Sequence, residues 1–180
     1  MLLLRGFSSL PNLPTMHEIY KLRSAAIASY PMYRGLARVV GMEVLTTGTT
    51  LAEEMDSLER NYAAYDFFFI HVKGADAAGE DGDFERKVRV IENVDASLPR
   101  LLKLQPDVII IAGDHSTPAV LKGHSWHDVP CLIYSNVCRH DRLEGFGESS
   151  CSKGSLGRLM AIDLMPLAMA HALKLTKFGA

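Results

Sequence analysis

The chain has 180 residues, of which 48% are hydrophobic, 22% charged and 8% aromatic. That length supports one domain over residues 1–180, with a core large enough to hold without disulfides or a structural metal. Nineteen Lys and Arg against 21 Asp and Glu leave a net charge of −2, so no basic excess exists to bind nucleic acid. No apolar run reaches the roughly 18 residues of a membrane-spanning helix. The opening MLLLRGF is too short an apolar run for a signal peptide. Cys131, Cys138 and Cys151 form no CxxC pair and leave an odd thiol. A reducing cytoplasm is the compartment these features predict.

Along the chain, short apolar runs alternate with longer amphipathic stretches. Strands are expected at Leu2–Leu4, Ala25–Ala28 and Glu43–Thr46. Leu51–Tyr65 reads as a helix, because Leu51, Met55, Leu58 and Tyr62 recur at helical spacing. A strand over Asp66–Val72 follows, then a helix over Phe84–Leu102 carrying Val88, Ile91, Val94, Leu98 and Leu102. Strands at Asp107–Ala112 and Cys131–Tyr134 precede a last helix over Leu156–Leu173, which Pro166 should kink or divide. DFFFIHV and DVIIIAG are continuously apolar, the pattern of strands covered on both faces in a mostly parallel sheet. The alternation gives an α/β fold, its mostly parallel sheet flanked by helices through right-handed crossovers. Leu2–Leu4 has no preceding element to pair with, as in an edge strand or a piece cut from a larger protein. Such an open apolar edge predicts aggregation or a homo-oligomer.

In an open parallel sheet, ligands bind beyond the carboxyl ends of the strands. The exits of the two apolar strands read HVKGADAAGEDGD and GDHSTP, which hold His71, Lys73, Asp76, Glu80, Asp81, Asp83, Asp114 and His115. His124 comes nine residues after His115, in GHSWHDVP. Carboxylates and imidazoles gathered this way are the raw material of a hydrolytic or phosphoryl-transfer site for Mn, Zn or Mg. By itself the acidic run reads as a solvated turn, with Asp83 capping the helix from Phe84. An EF-hand is excluded, since the sixth position from Asp76 is not Gly. Asp114–His115, directly after an apolar strand, is the stronger signal. Ser116 or Thr117 reads as the cap of a short helix with Pro118 in its first turn, so these hydroxyls are structural rather than nucleophilic. No GxSxG elbow, Walker loop or GxGxxG is present, and His124, Trp126 and His127 lack zincin spacing. Trp126 reads as packing, His17, His140 and His171 as surface residues, and Cys131 as buried and inert.

Taken in order, LLLRG, GMEV, YDFFFIHVKGADAAGEDGDFERKVRVIENVD, PDVIIIAGDHSTPAVLKGHSWHDVP, CSKGSLGR and the terminal KFGA carry a family likeness. Over nearly the whole chain they resemble the C-terminal part of the archaeal-type cofactor-independent phosphoglycerate mutases, members of the alkaline phosphatase superfamily. The resemblance implies interconversion of 3-phosphoglycerate and 2-phosphoglycerate in glycolysis and gluconeogenesis. It also implies a phosphoserine intermediate and two divalent metal ions, Mn, Mg or Zn. Carried across by motif, Asp114 and His115 ligate one metal, and Asp76 and His124 the other. Glu80 stands where family members commonly have His, and can still ligate through oxygen. Substrate phosphate or carboxylate falls to basic residues, for which Arg5 and Arg34 are the candidates, Arg34 reading otherwise as a helix-surface residue. Lys73, from its place at the strand exit, either adds positive potential there or pairs with Asp76.

The family's nucleophilic Ser, and the Asp that completes its metal pair, lie near the N-terminus of a chain roughly twice this length. The resemblance therefore implies a phosphatase-like domain lacking its N-terminal strand or strands, with no catalytic nucleophile here and no activity by itself. Two other readings stay open. One is a different enzyme of the superfamily, such as a phosphatase, sulfatase or phosphopentomutase. The other is a metal-binding or assembly module without catalysis.

Overall fold

Capping chemistry starts the helices of the first unit. Thr15 and Thr50 each accept a backbone N–H from the residue three positions on, Glu18 and Glu53, whose carboxylates reach back to the cap. In a computed structural model describing residues 9–175, the chain forms two units. The expected strand Leu2–Leu4 and Arg5 lie outside the described residues.

The first unit takes the chain up to Ala75, together with Arg89–Arg100. It holds α1 (Met16–Tyr20), β1 (Ser24–Ala28), α2 (Pro31–Val39), β2 (Glu43–Val44), α3 (Leu51–Asn61) and β3 (Phe67–His71). All strand pairs are parallel, in the order β2-β1-β3. Central β1 is SAAIA and is buried at every position. Its small side chains let α2 and α3 pack closely against it. Ala26, Ala37 and Met42 form the core there, with Phe67 and Phe69 against them. Arg23 fixes the β1–β3 register, since its backbone N–H and its guanidinium all donate to Asp66, at 2.9–3.0 Å. Met55 and Leu58 of the predicted stripe are buried on α3.

The second unit comprises Asp76–Val88 and the chain from Leu101 onward. Two helices contribute to both units, α4 (Gly74–Asp81) and α5 (Phe84–Lys103). Asp83 caps α5 as expected, accepting the Arg86 N–H at 2.9 Å. Then come β4 (Val108–Ala112), β5 (Cys131–Ser135), α6 (Glu148–Cys151) and α7 (Leu164–His171), the last against β4. None of the described helices is long and apolar enough to cross a membrane.

The α/β fold with a parallel sheet flanked by helices is as expected, with three local corrections. First, β4 does not join the parallel sheet but pairs antiparallel with β5. Residues 113–130 contain no crossover helix, the usual means of a parallel return, and the chain reverses instead. Second, the strand buried on both faces is β1, whereas β3 is half-buried and is an outer strand among the described residues. Third, the last predicted helix shortens to α7, preceded by a 3-10 turn at Ala161–Asp163. Pro166 then falls in the first turn, where its missing N–H costs nothing.

Candidate metal centre

The site in the second unit starts from α4. Asp76 sits in its first turn and Glu80 one turn later, on the same face. The acidic run is thus helical, where its sequence predicts a solvated turn. The helix carries Gly79 and few apolar residues, so no hydrophobic period announces it. The other residues come from the loop after β4. Residues 116 and 125 form an isolated antiparallel bridge, Ser125 N–H donating to the Ser116 carbonyl at 2.9 Å. Within that bridge the chain turns at Pro118, whose carbonyl accepts from Leu121 at 3.0 Å and Lys122 at 3.1 Å. The reversal brings His124 back beside His115, with ring centroids 4.0 Å apart.

Five predicted residues meet here. Asp76 is the inner one, its side chain 14% exposed. Its Oδ1 lies 3.5 Å from His124 Nε2 and 3.8 Å from His115 Nδ1. Glu80 Oε1 stands 3.6 Å from the same His124 nitrogen, and Asp114 Oδ2 stands 3.5 Å from His115 Nε2. Donor atoms of Asp76, His115 and His124 all lie within 4.8 Å of one another. Ligands of a tetrahedral ion at about 2.1 Å are about 3.4 Å apart, so these separations are near those of ligands around one cation or a close pair of them. Carboxylate oxygens and imidazole nitrogens are the donors that Mn, Mg and Zn take. The residues present fit a divalent ion.

Sequence reading missed Thr117. It caps no helix, because none forms after it. Its hydroxyl instead donates to Asp76 Oδ1 at 2.6 Å and lies 3.0 Å from His115 Nδ1. Three other assignments change as well. Trp126 is 86% exposed and stacks on His127, at 5.0 Å. His171 is half-buried, its Nδ1 3.2 Å from the Ser135 hydroxyl. Cys131 is half-buried, and burial pushes its thiol up, with Cys151 adding to the effect.

Arg34 and Lys73 belong to the first unit. Arg34 lies half-buried on α2, and Lys73 follows β3 with its ammonium 5.0 Å above the Tyr30 ring. Lys73 also lines a cavity of about 320 Å³ at the carboxyl ends of β1 and β3, together with Ser29, Thr49, Glu54 and Asn93. Glu54 is 3% exposed, and burial raises its carboxyl to about 7 against an ordinary 4.5. Hydrogen bonds from the Ser29 hydroxyl and N–H oppose the rise in part.

Between pH 4.5 and 7 the folded chain therefore holds a proton that the unfolded chain has lost. Stability falls as pH rises through that window. The full shift corresponds to about 3 kcal/mol, which solvent screening reduces to roughly 1–2 kcal/mol. Glu54→Gln keeps the shape without the charge. In urea titrations at pH about 8 it is expected to exceed the wild type by that roughly 1–2 kcal/mol, with the advantage shrinking toward pH 5. A variant less stable than wild type at pH 8 would mean that the site prefers the carboxylate charged.

Fold and donor set together describe an α/β chain whose side chains could hold a divalent ion, and comparison with known proteins places it in a matching family. The chain belongs to the metalloenzyme superfamily, whose family model matches residues 1–171. It is similar to the probable 2,3-bisphosphoglycerate-independent phosphoglycerate mutase of Thermotoga maritima, 54% identical over 178 residues. That match covers 99% of this chain and 44% of the Thermotoga protein. The corresponding protein of Thermus thermophilus is 54% identical over 181 residues, covering 99% and 45%. Among solved structures, a Pyrococcus horikoshii protein superposes with a TM-score of 0.91 at 33% identity, over 98% of this chain and 57% of that one. The cofactor-independent phosphoglycerate mutase of Thermoplasma acidophilum shares the fold, with a TM-score of 0.71 at 24% identity, over 90% and 39%. The chain thus spans less than half the length of the Thermotoga and Thermus relatives.

Proposed function

We propose that this chain is the metal-binding C-terminal portion of a 2,3-bisphosphoglycerate-independent phosphoglycerate mutase. The observation that carries the reading is the gathering of three carboxylates and two imidazoles around the loop after β4. Asp76, Glu80 and His124 hold one divalent cation, and Asp114 and His115 the other. Bound cations supply positive charge that stabilises phosphoryl oxygens and eases loss of a hydroxyl proton. Glu80 contributes an oxygen where the family commonly has nitrogen, which biases its set toward Mn or Mg over Zn. Arg34 and Lys73, with Arg5, hold the carboxylate or phosphate of phosphoglycerate. The nucleophilic Ser and a further metal-ligating Asp belong to the rest of the parent enzyme, which works in the cytoplasm. An open strand edge, outer among the described residues as β3 is, is the feature through which the isolated chain would self-associate.

Two measurements on the chain test this. Calorimetric titration with Mn²⁺ is expected to show saturable binding, and incubation with 3-phosphoglycerate and Mn²⁺ to yield no 2-phosphoglycerate. Absence of Mn²⁺ binding would overturn the metal reading, and turnover by the chain alone would overturn its dependence on the parent. If the full-length parent left phosphoglycerate untouched but hydrolysed other phosphate esters, the function would move to a phosphatase of the same superfamily.

A further inference from the structure

We infer that Thr117 is a positioning residue of the metal centre, fixing which nitrogen of His115 carries the proton and which way Asp76 faces. Thr117 is 3% exposed and is held on several sides. Its carbonyl accepts from Lys87 Nζ at 2.5 Å, and its methyl lies 3.0 Å from where a side chain on Gly79 would begin. The hydroxyl has one proton to give. At 2.6 Å from Asp76 Oδ1, the spacing is that of a hydroxyl donating to a carboxylate, which is acceptor-only when ionised.

That proton is then spent, so the 3.0 Å contact with His115 Nδ1 needs its hydrogen from the ring. Thr117 accepts from Nδ1–H, and the lone pair of His115 falls on Nε2. Nε2 is the atom 3.5 Å from Asp114 Oδ2. The Nε2 lone pair and the Asp114 carboxylate oxygen, both acceptors, thus face the space between them that a cation would fill, and the same hydroxyl pins Asp76, the inner acid of the other set. Outer hydrogen bonds of this kind fix ligand tautomer and typically contribute about 10–100-fold in metal affinity.

The inference rests on the metal reading for affinity but not for the tautomer, and the experiment separates the two. In the metal-free chain labelled with ¹⁵N-histidine, long-range ¹H–¹⁵N correlation spectra at pH about 8 report neutral imidazole tautomers. His115, assigned by its loss in His115→Gln, is expected in the Nδ1–H form, opposite to the preference of a solvated imidazole. Thr117→Ser keeps that form, and Thr117→Val shifts it toward Nε2–H. Mn²⁺ affinity by calorimetry is expected to fall about 10–100-fold in Thr117→Val and to stay within about threefold in Thr117→Ser. An Nε2–H ring in the wild type overturns the inference, even if the valine variant fails to fold. So does a valine variant with unchanged tautomer and affinity. Failure of the wild type to bind Mn²⁺, with His115 still Nδ1–H, would instead overturn the metal reading and leave the tautomer assignment standing.

Discussion

Asp76→Asn is expected to weaken Mn²⁺ binding by about 100-fold or more, since outer partners alone are worth about 10–100-fold. Asp76 is the residue on which the centre converges. Its Oδ1 faces both imidazoles and accepts the Thr117 hydroxyl. Asparagine has the same outline and can still accept that hydroxyl through its amide oxygen. Local architecture therefore survives, and the loss reports the missing negative charge on a residue proposed to ligate the cation. Asp81→Asn is the matched control, because Asp81 pairs at the surface with Arg86, at 2.6 Å, outside the gathered donor set. Calorimetry should find its Mn²⁺ affinity within about twofold of wild type, as for other exposed ion pairs. If Asp76→Asn bound Mn²⁺ as tightly as the wild type, cation binding would have to be placed elsewhere on the chain.

Much of this was legible in the residues, for reasons that differ from element to element. The α3 stripe and the cap at Asp83 are local rules of period and hydrogen bonding, and both hold in three dimensions. Asp114 and His115 were legible as a candidate site from their place directly after an apolar strand, whereas Asp76, Glu80 and His124 entered the ligand set through the family resemblance. Pairing direction was not legible. DVIIIAG is as apolar as a parallel strand, and only the helix-free connection to β5 makes it antiparallel. Period also told which face of α5 is apolar without saying what covers it. Phe84, Ile91 and Leu102 on that helix are exposed. Thr117 was missed because GDHSTP has two readings. A hydroxyl before Pro118 suits a helix cap, and only the return of α4 beneath it turns that hydroxyl toward Asp76.

That return of α4 sets up the largest expected stability effect. Gly79→Ala is expected to destabilise the chain by about 2–3 kcal/mol, despite alanine's better helix propensity. Two terms compete. Alanine in a helix interior gains up to about 1 kcal/mol over glycine. Against that, a Cβ at position 79 would overlap the Thr117 carbonyl oxygen and come within 3.0 Å of the Thr117 methyl and 3.2 Å of its carbonyl carbon. A backbone carbonyl cannot swing aside as a flexible side chain does. This one is also tied to Lys87 at 2.5 Å, so either α4 or the loop after β4 must move. Overpacking wins, and the midpoint of thermal unfolding should fall by roughly 4–12 °C. Asp76 and Thr117 lie on the two segments forced apart, so Mn²⁺ affinity should drop in the same variant, and more steeply than stability alone requires. Gly35→Ala supplies the opposite sign. Gly35 lies on α2 with nothing within 4 Å of an added Cβ, so propensity acts unopposed and should stabilise by about 0.5–1 kcal/mol. If both alanines stabilised the chain, α4 would not be wedged against Thr117, and the close packing that orients Asp76 would be absent in solution.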